Sequence, residues 1–210
     1  MRRFAILAFM LCGALPAIMA QWGIRATILH FETLTPSGTF SFLAGLDHDL
    51  TDRTAMGLDF TMGVDLFGTG APEQTEYAGY SVDYILTQKS MGLTYRSMYF
   101  FSDNDGGAAF YAGPFVGFRQ VTYEVDPTAY SYNFLDDPSW SRRETGSTTM
   151  FPIGMRMGFR SPLDGYSGDI YVGFGFIAGG ADPIKAPYLE DKDRLSRTFL
   201  QAGYTVGIGW

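Results

Sequence analysis

The chain has 210 residues, a net charge of −7, one cysteine and only three lysines. This length fits one ordinary domain, and a single cysteine excludes a disulfide framework. The acidic balance argues against nucleic acid as a partner, because a basic surface supplies most of the affinity for phosphates.

Residues 1–20 have the features of a cleaved secretory signal peptide. Two arginines precede an apolar run over residues 4–15, and small residues follow it. That run is too short to cross a bilayer as a helix. Cleavage removes Cys12 and two arginines, so the net charge falls from −7 to −9. We expect one mature domain over residues 21–210.

Beyond residue 20, apolar residues alternate with small or polar ones, and this period of two predicts β-strands. The clearest stretch is 54–67, in which Met56, Leu58 and Phe60 alternate with Gly57 and Asp59. Eight strands are predicted, over residues 22–31, 39–47, 54–67, 81–101, 108–125, 149–160, 169–179 and from about 195 to the end.

The fourth predicted strand contains a change of phase. Its first part and its second part alternate in opposite senses, which indicates either a β-bulge at 87–90 or a turn there that would give nine strands. Short polar connections alternate along the chain with longer ones, over residues 67–80, 126–147 and 181–194. Eight strands keep these long connections at one end of the sheet and both termini at the other, so we favour the bulge.

The two faces of the strands indicate what surrounds them. The less apolar face is rich in glycine, which weakens a solvated strand but suits the narrow interior of an eight-stranded barrel. The apolar face then contacts lipid, and closure removes the unpaired edges that lipid cannot satisfy. The sequence therefore predicts an all-β fold: a closed, antiparallel, up-and-down transmembrane β-barrel of eight strands. Aromatic girdles are expected at the short-turn end (Trp22, Tyr99, Phe101, Trp210) and at the long-loop end (Phe67, Tyr77, Tyr80).

The inward face carries charged residues, which are costly to bury unpaired. We expect arginine–carboxylate pairs that fill and rigidify the lumen; a gated pore or a proton path is the alternative. The predicted network consists of Arg25, Asp47, Asp59, Asp65, Arg96, Arg119, Arg156, Arg160, Asp169 and Arg197.

Three segments resemble the small bacterial outer-membrane β-barrels of the OmpA/OmpX-like, or "porin family", kind. They are the terminal QAGYTVGIGW, the segment LTDRTAMGLDF (50–60) and the segment YAGPFVGFR (111–119). The terminus resembles the signal read by the β-barrel assembly machinery, through Gln201, Gly203, Val206, Ile208 and Trp210. This resemblance implies an integral protein of the Gram-negative outer membrane, with periplasmic termini and with membrane lipid and lipopolysaccharide as neighbours.

Few residues could carry chemistry. The two histidines, His30 and His48, are expected at opposite ends of the barrel, and no catalytic motif occurs. The acidic pairs at 103 and 105 and at 136–137 fit a solvated turn and loop better than a calcium site. We therefore expect no enzymatic activity, no metal and no cofactor.

The expected role is envelope integrity or adhesion and recognition through the surface loops. Aromatic residues dominate recognition surfaces, so the candidates in the longest loop are Tyr130, Tyr132, Phe134 and Trp140. One alternative is a lipid A-modifying acyltransferase or deacylase that uses His30 with Glu32 at the outward rim. The others are a narrow pore and a secreted soluble barrel that binds an apolar ligand.

Overall fold

The computed structural model describes residues 22–34, 38–64, 73–77, 80–102, 107–130, 144–163, 166–180 and 197–208. No helix in these ranges is long and apolar enough to cross a bilayer. The strands are β1 (Trp22–Glu32), β2 (Thr39–Thr51), β3 (Thr54–Val64), β4 (Glu73–Tyr77), β5 (Tyr80–Phe100), β6 (Ala109–Tyr130), β7 (Glu144–Leu163), β8 (Tyr166–Gly179) and β9 (Thr198–Ile208).

Eight of these strands close into a barrel. The sheet order is β3-β2-β1-β9-β8-β7-β6-β5-β4, and an additional pairing of β3 with β5 completes the ring. All the pairings are antiparallel, and β4 is a short strand outside the ring that pairs with the start of β5. The predicted closed, antiparallel, up-and-down, eight-stranded barrel is confirmed.

The alternation of side chains sends apolar groups outward and charged groups inward. Many large apolar side chains on the outer face are exposed, by 41% at Phe118 and up to 68% at Ile28. At the short-turn end, Tyr99 and Phe101 are 49% and 65% exposed, and Trp22 stacks on His48 with ring centroids 4.6 Å apart. Phe67 and Trp210 lie outside the described residues, and only the backbones of Tyr77 and Tyr80 are described.

The bulge predicted at 87–90 is wrong, and so is the alternative turn at that place. β5 runs without interruption from Tyr80 to Phe100, and its register against β3 is continuous from Lys89 to Tyr99. Its one irregularity, against β6, falls between Asp83 and Tyr84. Residues 80–88 extend beyond the end of β3, where they pair with β4 and β6. Within the closed wall one side of a strand faces lipid and the other faces the lumen, and this difference produces the alternation. Residues 80–88 lie beyond that wall, so their change of phase does not indicate a bulge.

A bulge occurs instead in β1. The register of β1 against β9 shifts between Thr27 and Leu29, and Ile28 has no partner on β9 in the described ladder. One extra residue reverses the face on which all later side chains of a strand lie. As a result Arg25 and, beyond the bulge, His30 and Glu32 all lie in the lumen, where they are 0–2% exposed.

Candidate functional site

The lumen is built from rows in which a glycine separates two large polar residues on neighbouring strands. Gly45 pairs with Arg25 on one side and with Asp59 on the other, so the arginine lies across the glycine and reaches the carboxylate. A Cβ at Gly45 would lie 2.6 Å from the Asp59 carboxylate and 2.8 Å from Arg25 Nε. The glycine is therefore required for the ion pair, which joins β1 to β3.

Three further rows follow this pattern. Asp47 and Arg96 meet across Gly57, where a Cβ would lie 2.5 Å from the Asp47 carboxylate. In the other two rows, Arg156 reaches Gln201 across Gly173, and Tyr171 reaches His30 across Gly203. The lumen glycines were predicted to make space in a narrow barrel. In these rows the space they leave is used by two polar side chains that meet across the glycine.

Seven charged side chains meet near the short-turn half of the lumen. We call them the central cluster: Arg25, Asp47, Asp59, Arg96, Arg156, Arg160 and Asp169. Their side chains are 0–5% exposed, and they come from β1, β2, β3, β5, β7 and β8. The cluster therefore links strands from all sides of the barrel.

Asp59 lies within 3.5 Å of three arginines, as Asp47 does. It accepts hydrogen bonds from Arg25 and from Arg156 Nη1, the latter at 3.0 Å, and Arg96 Nε lies 3.3 Å from its Oδ2. Asp47 is bound in a similar way by Arg96 and by Arg160, the latter at 2.8 Å. Charged hydrogen bonds of this kind are the strong ones in proteins.

Asp169 completes the central cluster toward β6 and β8. Arg25 Nη1 donates to Asp169 Oδ2 over 3.3 Å, and the Tyr111 hydroxyl donates to Oδ1 over 2.9 Å. Arg160 Nη2 lies 3.9 Å from the same carboxylate. Each carboxylate of the central cluster thus has partners on at least two other strands.

A second group, the upper cluster, consists of Arg119, Glu32 and His30. Arg119 holds the Glu32 carboxylate with two nitrogens, Nε at 3.1 Å and Nη2 at 2.5 Å. His30 Nε2 lies 2.9 Å from Glu32 Oε1, and its Nδ1 lies 2.7 Å from the Tyr171 hydroxyl. Because the Arg156 guanidinium lies 4.3 Å from the centre of the Tyr171 ring, Tyr171 connects the two clusters.

The charged side chains of these clusters are almost wholly inaccessible to solvent. Arg25, Asp47, Asp59 and Arg96 are 0–2% exposed, whereas an aqueous channel past them would leave their polar atoms accessible. The described buried charges are five arginines against four carboxylates, and His30 accompanies them. Near-balance of this kind lets the protein avoid the cost of unpaired buried charge.

The structure brings most of the predicted network together, with one correction. Arg119 is buried but belongs to the upper cluster, and Asp65 lies outside the described residues. The placement of Arg197 in the lumen is wrong: it is exposed, and its Nη1 donates to the backbone oxygens of Gly179 and Gly180. Arg197 precedes β9, so it lies at the end of the wall and not on its inner face.

Several described lumen residues that bind the network were absent from the prediction, among them His30, Glu32, Tyr111, Tyr171 and Gln201. The adjacent apolar pair Ile28–Leu29 was a sequence signal for the bulge that brings the first two inward. Gln201 was predicted only as part of the assembly signal, and in the structure it accepts a 2.7 Å hydrogen bond from Arg156.

The remaining predicted residues lie on β9, at the end of β6 or outside the described residues. Gly203 lies on the inner face of β9, whereas Ile208, on the outer face, is 50% exposed; Val206 is partly exposed. Trp210 lies outside the described residues. The same holds for Tyr132, Phe134 and Trp140, and only the backbone of Tyr130 is described, at the end of β6.

The structure brings His30 within 2.9 Å of Glu32, but it does not place this pair where the lipid A-modifying alternative requires it. His30 and Glu32 lie in the lumen and not at the outward rim, and both ring nitrogens of His30 have partners. His48 is on β2 and stacks on Trp22 at the short-turn end. Among the described residues, no three His, Cys, Asp or Glu side chains are grouped so as to hold a metal ion.

No family model matches the sequence, and no curated protein matches it. Among solved structures, Neisserial surface protein A (NspA) is similar, with a TM-score of 0.52 and 11% identity over 91% of this chain and 97% of that one. The N-terminal β-barrel domain of Pseudomonas aeruginosa OprF gives a TM-score of 0.40 and 13% identity, over 90% and 96% of the two chains. The attachment invasion locus protein Ail of Yersinia pestis gives a TM-score of 0.44 and 9% identity, over 90% and 97%. The likeness to NspA shows the fold: this chain has the fold of the small eight-stranded outer-membrane barrels, as its resemblance to them predicted.

Proposed function

We propose that this protein is a non-enzymatic, integral outer-membrane barrel whose closed lumen makes it a rigid anchor for its surface loops. One observation carries the proposal: the apolar face is outside and exposed, while the charges are inside, buried and paired. A soluble barrel with an apolar ligand would show the reverse distribution.

The membrane location is supported by the size of the exposed apolar face. Residues such as Ile28, Phe110 and Ile170 are 68%, 64% and 58% exposed. In water, a contiguous apolar surface of this kind leads to aggregation, whereas in a bilayer it is the surface that lipid requires. The closed ring also pairs the strands on both sides, as a bilayer demands.

A structural rather than conducting role is supported by the central cluster. A pore needs a water-filled path, and the central cluster and upper cluster fill the lumen with side chains that are at most 5% exposed. A lumen filled in this way favours stiffness over transport.

We further propose that the short-turn end faces the periplasm and the long-connection end faces outward. The expected partners are outer-membrane lipid and lipopolysaccharide, the β-barrel assembly machinery during biogenesis and an extracellular ligand bound through the loops. Tyr130, Tyr132, Phe134 and Trp140 are the proposed recognition residues, because aromatics concentrate binding energy. Envelope integrity and adhesion are both consistent with such an anchor.

Planar-bilayer recording tests the closed lumen. The purified protein, verified as folded by heat-modifiable migration on a gel, is added to bilayers beside a conducting porin as the positive control. We expect no stable openings. Stable, large openings from the folded protein alone would overturn the structural role.

Protease treatment of intact cells tests location and orientation together. Trypsin can cut after Arg142 or Arg143 in the longest loop, and after Arg53 in a short turn at the opposite end. We expect cleavage in the loop on intact cells, and cleavage at Arg53 only after the outer membrane is permeabilised. The variant R142Q/R143Q is the matched control and loses the first cut. Cleavage at Arg53 alone on intact cells would reverse the orientation.

Mass spectrometry of lipid A from cells with and without the gene tests the enzymatic alternative. We expect the same acylation pattern in both. A change that depends on His30 would contradict the non-enzymatic role.

A further inference from the structure

β1 has the shortest backbone ladders of any strand in the ring. Its ladders with β2 and with β9 are both shorter than every other ladder between described strands of the wall. Against β2, pairing stops after Ala26 and resumes at Phe31, so that residues 27–30 of β1 oppose residues 41–43 of β2. Against β9, the bulge at Ile28 falls within the same four residues. Both irregularities of β1 thus coincide.

This gap is the place where the described wall opens at the lowest cost. A wall that faces lipid normally keeps every backbone group paired, because each unpaired group costs several kcal/mol in hydrocarbon. Proteins open locally where few backbone bonds must break. A side-chain bond crosses the gap instead, since the Thr27 hydroxyl donates to the Leu43 carbonyl over 2.9 Å. Pairing with β9 resumes at Leu29, so the weaker side of residues 27–30 is the one toward β2.

Residues 27–30 are held in place from inside the lumen. The His30 ring lies 2.7 Å from the Tyr171 hydroxyl of β8 and 2.9 Å from the Glu32 carboxylate. Two nitrogens of Arg119, on β6, bind that carboxylate in turn. Neither β8 nor β6 is a neighbour of β1 in the ring. The upper cluster and Tyr171 therefore do from across the barrel what the backbone ladder does elsewhere in the wall.

We infer that residues 27–30 form a movable section of the wall, with the upper cluster and Tyr171 as its latch. In the closed state the latch seats His30 in the lumen, where it is 1% exposed. In the open state, a minor one, the section bends toward lipid, and a slit between β1 and β2 joins the upper lumen to the membrane side. Ile28 and Leu29 already face outward, 68% and 53% exposed, so the movement exposes little new apolar surface. The section is a local exception to the stiffness proposed above.

NMR relaxation dispersion on the folded barrel in lipid nanodiscs tests this device. The method detects movements on the microsecond to millisecond timescale and gives the population of a minor state. We expect dispersion at the amides of residues 27–30 and 41–43, and none along the unbroken ladder between β7 and β8. Y171F removes one hydrogen bond of the latch, and T27V removes the bond across the gap. Each variant should raise the minor population by roughly two- to tenfold, the effect of one net hydrogen bond.

The matched control is Y111F, which removes a buried hydroxyl that donates to Asp169 in the central cluster and has no part in the latch. We expect it to leave the dispersion at the gap unchanged. Heat-modifiable migration confirms that each variant is folded. Three results would overturn the inference: no dispersion at the gap in the unaltered protein, dispersion of equal size along the β7–β8 ladder, or the same minor population in T27V, Y171F and Y111F.

Discussion

Asp59 is, with Asp47, one of the two carboxylates that each contact three arginines of the central cluster. The arginines that contact Asp59 are Arg25, Arg96 and Arg156. In D59N the side chain keeps its size and one acceptor oxygen but loses its charge, so three buried guanidinium groups share a neutral partner. Removal of one partner from a buried ion pair costs about 3–5 kcal/mol. We expect a loss of this size in the free energy of unfolding.

Urea titration of the barrel in lipid vesicles measures that loss, with folded and unfolded forms separated by their migration on a gel. The control is D52N, in the exposed turn between β2 and β3, for which a change within about 0.5 kcal/mol is expected. The double variant D59N/R156Q removes both charges of one pair and should recover about 1–3 kcal/mol. A loss below about 1 kcal/mol in D59N, or no recovery in the double variant, would refute the account of the central cluster.

Three further predictions concern the wall and the terminus. G57A places a methyl group 2.5 Å from the Asp47 carboxylate and should cost about 1–3 kcal/mol, whereas G107A, with nothing within 4 Å of the added group, should be neutral in the same urea titration. F174R, on the outer face of β8, should cost about 2–4 kcal/mol and Y166R, at the start of that strand, about 0–1, because the penalty for arginine depends on depth; equal losses would contradict lipid contact. Deletion of Trp210 should lower the amount of folded protein in outer-membrane fractions more than W140A in the longest loop does, and normal levels of the truncated protein would undo the assembly-signal interpretation.

The sequence predicted the barrel well because the two faces of its wall have different surroundings, lipid outside and a narrow polar lumen inside. Successive side chains of a strand face lipid and lumen in turn, so apolar and small or polar residues alternate along the sequence. This alternation correctly predicted that β3 begins at Thr54. It also predicted the long strand β6, which follows β5 and pairs with it. The alternation fails where a strand leaves the wall, as β5 does before Lys89.

The lumen was less predictable, because pairing depends on register and on bulges. Alternation alone placed Arg25 inward, but a single extra residue in β1 decided that His30 and Glu32 face the same way. Arg197 has the residue type of a lumen arginine, yet it precedes its strand and binds backbone oxygens. Neither outcome follows from composition or from a regular period of two.

The rows in which a glycine separates two polar residues constrain how the strands are staggered. Each row ties a strand to its second neighbour, as Arg25 of β1 is tied to Asp59 of β3 across Gly45. A slip of β2 by two residues keeps every side chain on its proper face, but it puts Leu43 or Asp47 where Gly45 stood and obstructs the link. The hydrophobic pattern determines which face of each strand points into the lumen. The glycines determine the register, that is, by how many residues adjacent strands are offset. Most ion pairs of the central cluster join strands that are not neighbours, so a single hairpin can make only a minority of them, and the rest form only when further strands have joined the barrel.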